Sequence, residues 1–105
     1  MAGQVERVAL SQPAANTATT VFATTAQYLL SVIATNIGVG PATVYISVDD
    51  GTTEAFLAHG LNLTANNSYE TFRFAMAPGD DLIVKSTTGD VTFLVQGIDQ
   101  TPVGV

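Results

Sequence analysis

The residues of this chain best suited to chemistry are one histidine, His59, and two pairs of adjacent acids, Asp49-Asp50 and Asp80-Asp81. Catalysis by a serine and a histidine requires a serine held in a glycine-flanked elbow, and the sequence contains no G-x-S-x-G motif. Adjacent residues of an extended chain point to opposite faces, so neither acid pair can present both carboxylates to one substrate. The sequence therefore predicts no catalytic residue and no enzyme activity.

Two binding chemistries remain open as alternatives. Asp49, Asp50 and Glu54 surround a glycine and offer the oxygen ligands that calcium takes, although their spacing matches no EF-hand loop. Tyr45 and Tyr69 are the candidates for a carbohydrate-binding surface, and the chain has no tryptophan to add to them. A solvated hairpin turn explains the acids more simply, so we predict neither a metal ion nor a cofactor.

Composition limits the classes of partner. The chain has 105 residues, enough for one domain, and its 47 % hydrophobic and 11 % charged residues exclude intrinsic disorder. Nine acids against three bases give a net charge of -6, which phosphate backbones repel, so we expect no nucleic-acid partner. A polar but largely uncharged surface is typical of a protein that contacts other protein.

Cysteine usage and hydropathy exclude several other kinds of site. The chain has no cysteine, and therefore no disulfide, thiolate nucleophile or cysteine-based metal site. Its longest apolar stretch, Tyr28–Ala34, is far shorter than the roughly 20 residues of a membrane-spanning helix. The first residues lack the order of a signal peptide, so the sequence predicts neither export nor a membrane partner.

From Val21 onward, short segments rich in valine, isoleucine, threonine and aromatic residues alternate with clusters of glycine, proline, asparagine and aspartate. This punctuation is typical of an all-β fold, and we expect a single antiparallel β-sandwich, jelly-roll-like, over residues 21–105. The predicted strands are Thr19–Ala23, Tyr28–Thr35, Ala42–Val48, Glu54–Ala58, Leu61–Thr64, Tyr69–Met76, Asp81–Ser86 and Val91–Ile98. Residues 1–20 contain too little bulk for a core and are predicted to form an extended N-terminal arm.

Several motifs carry a resemblance to a known class of proteins. They are the run Leu10–Phe22, the strand Leu29–Asn36 ending in a glycine-rich turn, Ala42–Val48, and the hairpin Ala77–Ser86 followed by Thr88–Phe93. Together they resemble small β-sandwich structural proteins of tailed bacteriophages. The resemblance implies a virion component without enzyme activity, often trimeric, such as a capsid decoration or cement protein.

The expectation that follows is a decoration protein that binds the outer surface of the major capsid lattice and stabilises the shell. Its partner would be the major capsid protein, its site the virion surface, and its place of synthesis the host cytoplasm. An extended arm can add its backbone to the sheet edge of a neighbouring subunit, and two loops, 36–41 and 49–53, would contact the lattice or other copies. The predicted partner-binding residues are Val5, Val8, Leu10, Pro13, Asn36, Val39, Asp50 and Thr52.

One rival to decoration comes from the same structural class. A tail-associated or fibre module would have the same fold and the same lack of catalytic groups, and the sequence does not separate it from a capsid protein. The carbohydrate- or calcium-binding module described above is the rival from another class.

Overall fold

The computed structural model describes residues 5–100 and contains nine β-strands. They are β1 (Glu6–Ser11), β2 (Thr19–Ala23), β3 (Tyr28–Asn36), β4 (Ala42–Asp49), β5 (Glu54–Leu63), β6 (Ser68–Glu70), β7 (Phe74–Met76), β8 (Asp81–Ser86) and β9 (Val91–Asp99). Within the described range no helix is long and apolar enough to cross a membrane.

The strands form two antiparallel sheets. The five-stranded sheet has the order β1-β9-β3-β6, with β7 also paired to β3, and the four-stranded sheet has the order β2-β8-β4-β5. Successive strands thus alternate between the sheets for much of the chain, and β1 and β9 are neighbours in the five-stranded sheet. The all-β sandwich predicted from the sequence is confirmed.

The core lies between the sheets and is built from the inward-facing residues of the central strands. Its largest fully buried side chains are Phe93, Leu30, Ile46, Met76 and Leu82. The alternation of buried and half-buried residues along β4 and β8 follows the period of two that the sequence shows there. The four-stranded sheet is therefore apolar inside and mixed outside.

Two predicted strand boundaries were wrong, and each has a local cause. The segments Glu54–Ala58 and Leu61–Thr64 form one strand, because Gly60 takes a φ of +69° and lets the chain pass through a bulge instead of a turn. The predicted strand Tyr69–Met76 divides into β6 and β7. Between them, Thr71 interrupts the regular backbone hydrogen bonding to β3. Its N–H donates to Val32 O, while its side-chain Oγ1, and not its carbonyl oxygen, accepts from Val32 N, both at 2.9 Å.

Two stretches of the N-terminal segment form strands of the sandwich. Residues 1–4 lie outside the described residues. Glu6–Ser11 pairs with β9 of its own chain, and Thr19–Ala23 is an edge strand of the other sheet. Pairing of Glu6–Ser11 satisfies the backbone groups of β9, which would otherwise be a free edge, and lets Val8 and Ala9 pack against the core. The docking of this segment on a neighbouring subunit stays a prediction.

Candidate interaction surface

The outward side of the five-stranded sheet contains two rows of large apolar side chains. Strand register places Leu94 directly between Leu10 of β1 and Ile33 of β3, so these three side chains form one row across three strands. Leu29 of β3 and Ile98 of β9 form a second pair on the same side. We call Leu10, Leu29, Ile33, Leu94 and Ile98 the outer apolar face.

The residue pattern of this face differs from that of most solvent-facing sheets. An antiparallel sheet with one side in solvent alternates apolar and polar residues, whereas strands covered on both sides have nearly continuous apolar runs. β3 and β9 follow the second pattern in part: Leu30 and Val32 point into the core while Leu29 and Ile33 point outward, and the polar pair Ser31 and Gln96 lies between the two outward apolar rows. By contrast, the outward positions of β8 are Asp81, Ile83 and Lys85. The sequence of the five-stranded sheet is thus suited to contact with a second protein surface.

The outer apolar face is partly exposed to solvent and contains a depression. Leu10 is 59 % exposed, and a depression of about 460 Å³ lies between it, Ile33 and Leu94. Phe72 lies in the connection between β6 and β7, at the edge of the same sheet opposite β1, and is 92 % exposed. Exposed apolar groups collected in one region of a surface mark interaction sites in soluble proteins.

Charged groups at this face are mostly basic. Arg7 lies opposite Gln96 on the outward side, and Arg73 lines a small depression with Leu29 and Ile98. Two of the three cationic side chains of an acidic chain therefore lie at one face, with Glu70, opposite Ile33, as the acid on the same side.

The four predicted partner-binding residues of the N-terminal segment differ in their exposure to solvent. Val5 and Leu10 are exposed, and Leu10 belongs to the outer apolar face. Val8 is half-buried against the core and Pro13 is buried, so their side chains stabilise this chain. For Val5 and Leu10 a role in partner binding stays a prediction.

Asn36 does not lie on the surface, contrary to its prediction as a contact residue. Its side chain is 0 % exposed; Nδ2 donates to Gly40 O and Leu63 O, and Oδ1 accepts from Gly38 N, each at 2.9 Å. Asn36 therefore ties its loop to the end of β5. Val39, at the tip of that loop, is fully exposed at 102 % and stays a candidate contact.

Replacing Asn36 with alanine should lower stability by about 2–3 kcal/mol, because it removes three hydrogen bonds, one of them to the buried carbonyl group of Leu63. A fall of about 10 °C or more in the melting temperature is expected for a domain of this size. Circular dichroism melts measure it. Asn62→Ala is the matched control, since Asn62 is exposed on β5, and an equal loss in both variants would contradict the structural role of Asn36.

Asp50 and Thr52 are exposed in the hairpin turn between β4 and β5. Asp50 Oδ1 accepts hydrogen bonds from the N–H groups of Thr52 and Thr53, both at 2.8 Å, and these bonds to Thr53 and Thr52 hold the pKa of Asp50 below its usual 3.8. The carboxylate is therefore charged at neutral pH and organises its own turn. Contact with a partner stays a prediction for both residues.

The alternative binding chemistries find little support in the geometry. Asp49 accepts from Gly51 N, and Glu54 accepts from Ser47 Oγ at 2.5 Å. Among residues 5–100 no three acidic or histidine side chains converge as a metal site. Tyr45 and Tyr69 lie on different sheets, and Tyr69 packs against the core, so they form no common sugar platform.

His59 lies in an aromatic cluster on the outside of the four-stranded sheet. Its ring meets those of Phe56 and Tyr45 edge to face, with centroids 4.6 and 5.3 Å apart, and Lys85 Nζ lies 5.2 Å from the Tyr45 ring centroid. The arrangement stabilises neighbouring strands through side-chain pairs.

Comparison with solved structures finds proteins of similar fold. The fold is similar to that of a pentameric capsid protein isolated from metagenomic phage sequences, with a TM-score of 0.52 and 18 % identity over 90 % of this chain and 63 % of that one. A second structure, also of a pentameric capsid protein isolated from metagenomic phage sequences, gives a TM-score of 0.46 and 22 % identity over 90 % of this chain and 58 % of that one. The chain therefore spans less than two thirds of the length of these neighbours.

Sequence comparisons give no relatives: no protein-family profile and no curated protein matches the chain. The first neighbour establishes a shared fold at low identity.

Proposed function

We propose that the chain is a non-enzymatic structural protein of a phage virion and that it works as a component of the capsid. The outer apolar face carries this proposal, since leucine and isoleucine side chains collected on the solvent side of a sheet are suited to contact with another protein surface. A fold shared with a phage capsid protein supports the same role.

In its more specific form, the proposal is that of a decoration or cement protein that binds the major capsid protein on the outside of the shell. The low content of charged residues and the exposed tip of the loop at Val39 support contact with a repeated protein surface. The protein is proposed to act as a homo-oligomer. The resemblance in sequence implies a trimer and the structural neighbour is pentameric, and native mass spectrometry of the purified protein distinguishes the two.

Quantitative mass spectrometry of purified particles encoded by the same genome tests the proposal. A capsid role predicts as many copies as the shell has equivalent lattice positions. The few copies of a tail part would replace decoration by the tail or fibre alternative. Absence from mature particles would contradict a virion role altogether.

A further inference from the structure

We infer that copies of this chain associate head to tail, with the outer apolar face of one copy covering a second, acidic surface on the next. This inference deepens the proposed function by assigning the two surfaces of the contact between copies.

The second surface is a groove of about 450 Å³ on the side of the sandwich where β5 and β7 are adjacent. Phe56, Leu57 and Phe74 supply its apolar lining, and Asp50 and Asp80 lie at its rim. Phe56 is 45 % exposed there. We call these five residues the acid-rimmed groove.

The acids of the rim are fixed in place. Asp50 accepts two backbone hydrogen bonds within its turn, and Asp80 Oδ2 accepts one from Ala77 N at 2.8 Å. Each carboxylate uses one oxygen in the hydrogen bonds just given, which leaves the other oxygen to a partner. Fixed anions beside an apolar lining form a surface that matches an apolar face flanked by cations.

Charge decides how copies meet. At a net charge of -6 the copies repel one another, so a stable contact must bring unlike charges together. Arg7 and Arg73 lie at the outer apolar face, whereas Asp50 and Asp80 lie at the groove. Face-to-face pairing of two copies would set two arginines and Glu70 of one face against the same set of charges on the other, while face-to-groove pairing brings arginine to aspartate.

A contact between two different patches is heterologous and repeats from copy to copy. Such a contact closes into a ring when the rotation between copies allows it, and otherwise extends as a filament. The face is centred on β1, β9 and β3 and the groove on β5 and β7, so one copy has both surfaces for two different neighbours.

Arg7→Glu tests the assignment, with Lys85→Glu as the matched control. Lys85 is the third cation and lies on the outside of the four-stranded sheet, so both variants change the net charge equally. Sedimentation velocity should show association weakened about 10-fold or more by Arg7→Glu and little changed by Lys85→Glu. Equal effects of the two variants would overturn the inference.

The groove is tested by the pair Asp50→Asn and Asp80→Asn in one protein, because the asparagine oxygen retains the turn hydrogen bonds. This double variant should also weaken association about 10-fold. Combined with Arg7→Glu it should recover part of the loss, since the new glutamate then meets neutral groups. Strictly additive losses would show that the two surfaces do not meet and would overturn the inference.

Failure of this inference is distinguishable from failure of the proposed function. A wild-type protein that stays monomeric in sedimentation up to its solubility limit overturns the contact between copies, and its abundance in particles still decides the virion role. Association with the predicted charge dependence, found in a protein absent from particles, supports the contact and overturns the virion role.

Discussion

Replacing Leu94 with glutamate should leave the sandwich folded and abolish its association with other copies. Leu94 is the middle residue of the row that joins β1, β9 and β3, and its side chain points away from the core. A charge buried at the centre of an apolar interface costs about 2–4 kcal/mol, which weakens association about 30- to 1000-fold. Sedimentation velocity or light scattering after gel filtration measures the change.

The matched control for Leu94→Glu is Ile83→Glu. Ile83 occupies the equivalent outward position on β8, a central strand of the other sheet, and has similar half-buried exposure. Each variant should cost the folded chain only about 1 kcal/mol in lost cross-strand contacts. If both variants assemble like the wild type, or if both lose assembly equally, the outer apolar face is not the interface.

Gly97→Ala should prevent the chain from folding stably. Gly97 faces inward on β9, opposite Leu30 in the register, and the Leu30 side chain fills the space that a side chain at position 97 would take. A methyl group there would lie 2.6 Å from Leu30 Cδ2 and 2.9 Å from Leu30 Cα, and closer still to the carbonyl oxygen of Leu29. β3 would have to move away from β9 in the middle of the five-stranded sheet.

The expected cost of Gly97→Ala is about 3 kcal/mol or more, because backbone atoms cannot yield as side-chain ends do. That is a large share of the 5–15 kcal/mol that stabilises a typical small domain. Soluble yield and circular dichroism melts measure it. Gly40→Ala is the control, since a methyl group at Gly40 meets nothing within 4 Å, and a Gly97→Ala protein as stable as this control would contradict the packing described.

Local patterns predicted the parts of the fold that depend on neighbouring residues. The alternation in Val44, Ile46 and Val48 and in Leu82 and Val84 predicted the core side of both strands; the structure buries four of these residues and half-buries Val48 against the core. Turn residues marked the ends of most strands for the same reason, since glycine, asparagine and proline act on the backbone within a few positions.

Features set by distant residues were not predictable in this way. Asn36 directly precedes a glycine-rich turn, a position typical of a surface loop, yet Leu63 O, 27 residues away, accepts one of its hydrogen bonds and the residue is buried. Thr71 interrupts a predicted strand because its hydroxyl bonds to Val32 N on another strand. Neither contact leaves a local mark in the sequence.

The outer apolar face was missed although a signal for it exists. The runs from Tyr28 to Ala34 and from Val91 to Ile98 contain more apolar residues than one buried side of a strand requires. That excess predicts a strand covered on both sides, but it does not say by what. Only the register between β1, β9 and β3 brings Leu10, Leu94 and Ile33 into one row.

Side-chain labelling of assembled particles tests most directly whether protein covers the outer apolar face. Hydroxyl-radical footprinting compares labelling of Leu10, Ile33 and Leu94 in particles with that in the protein diluted to its monomer, and Ile83 serves as the reference. Labelling of the first three residues is expected to fall in particles relative to Ile83. Labelling of Leu10, Ile33 and Leu94 at the monomer level in intact particles would contradict it.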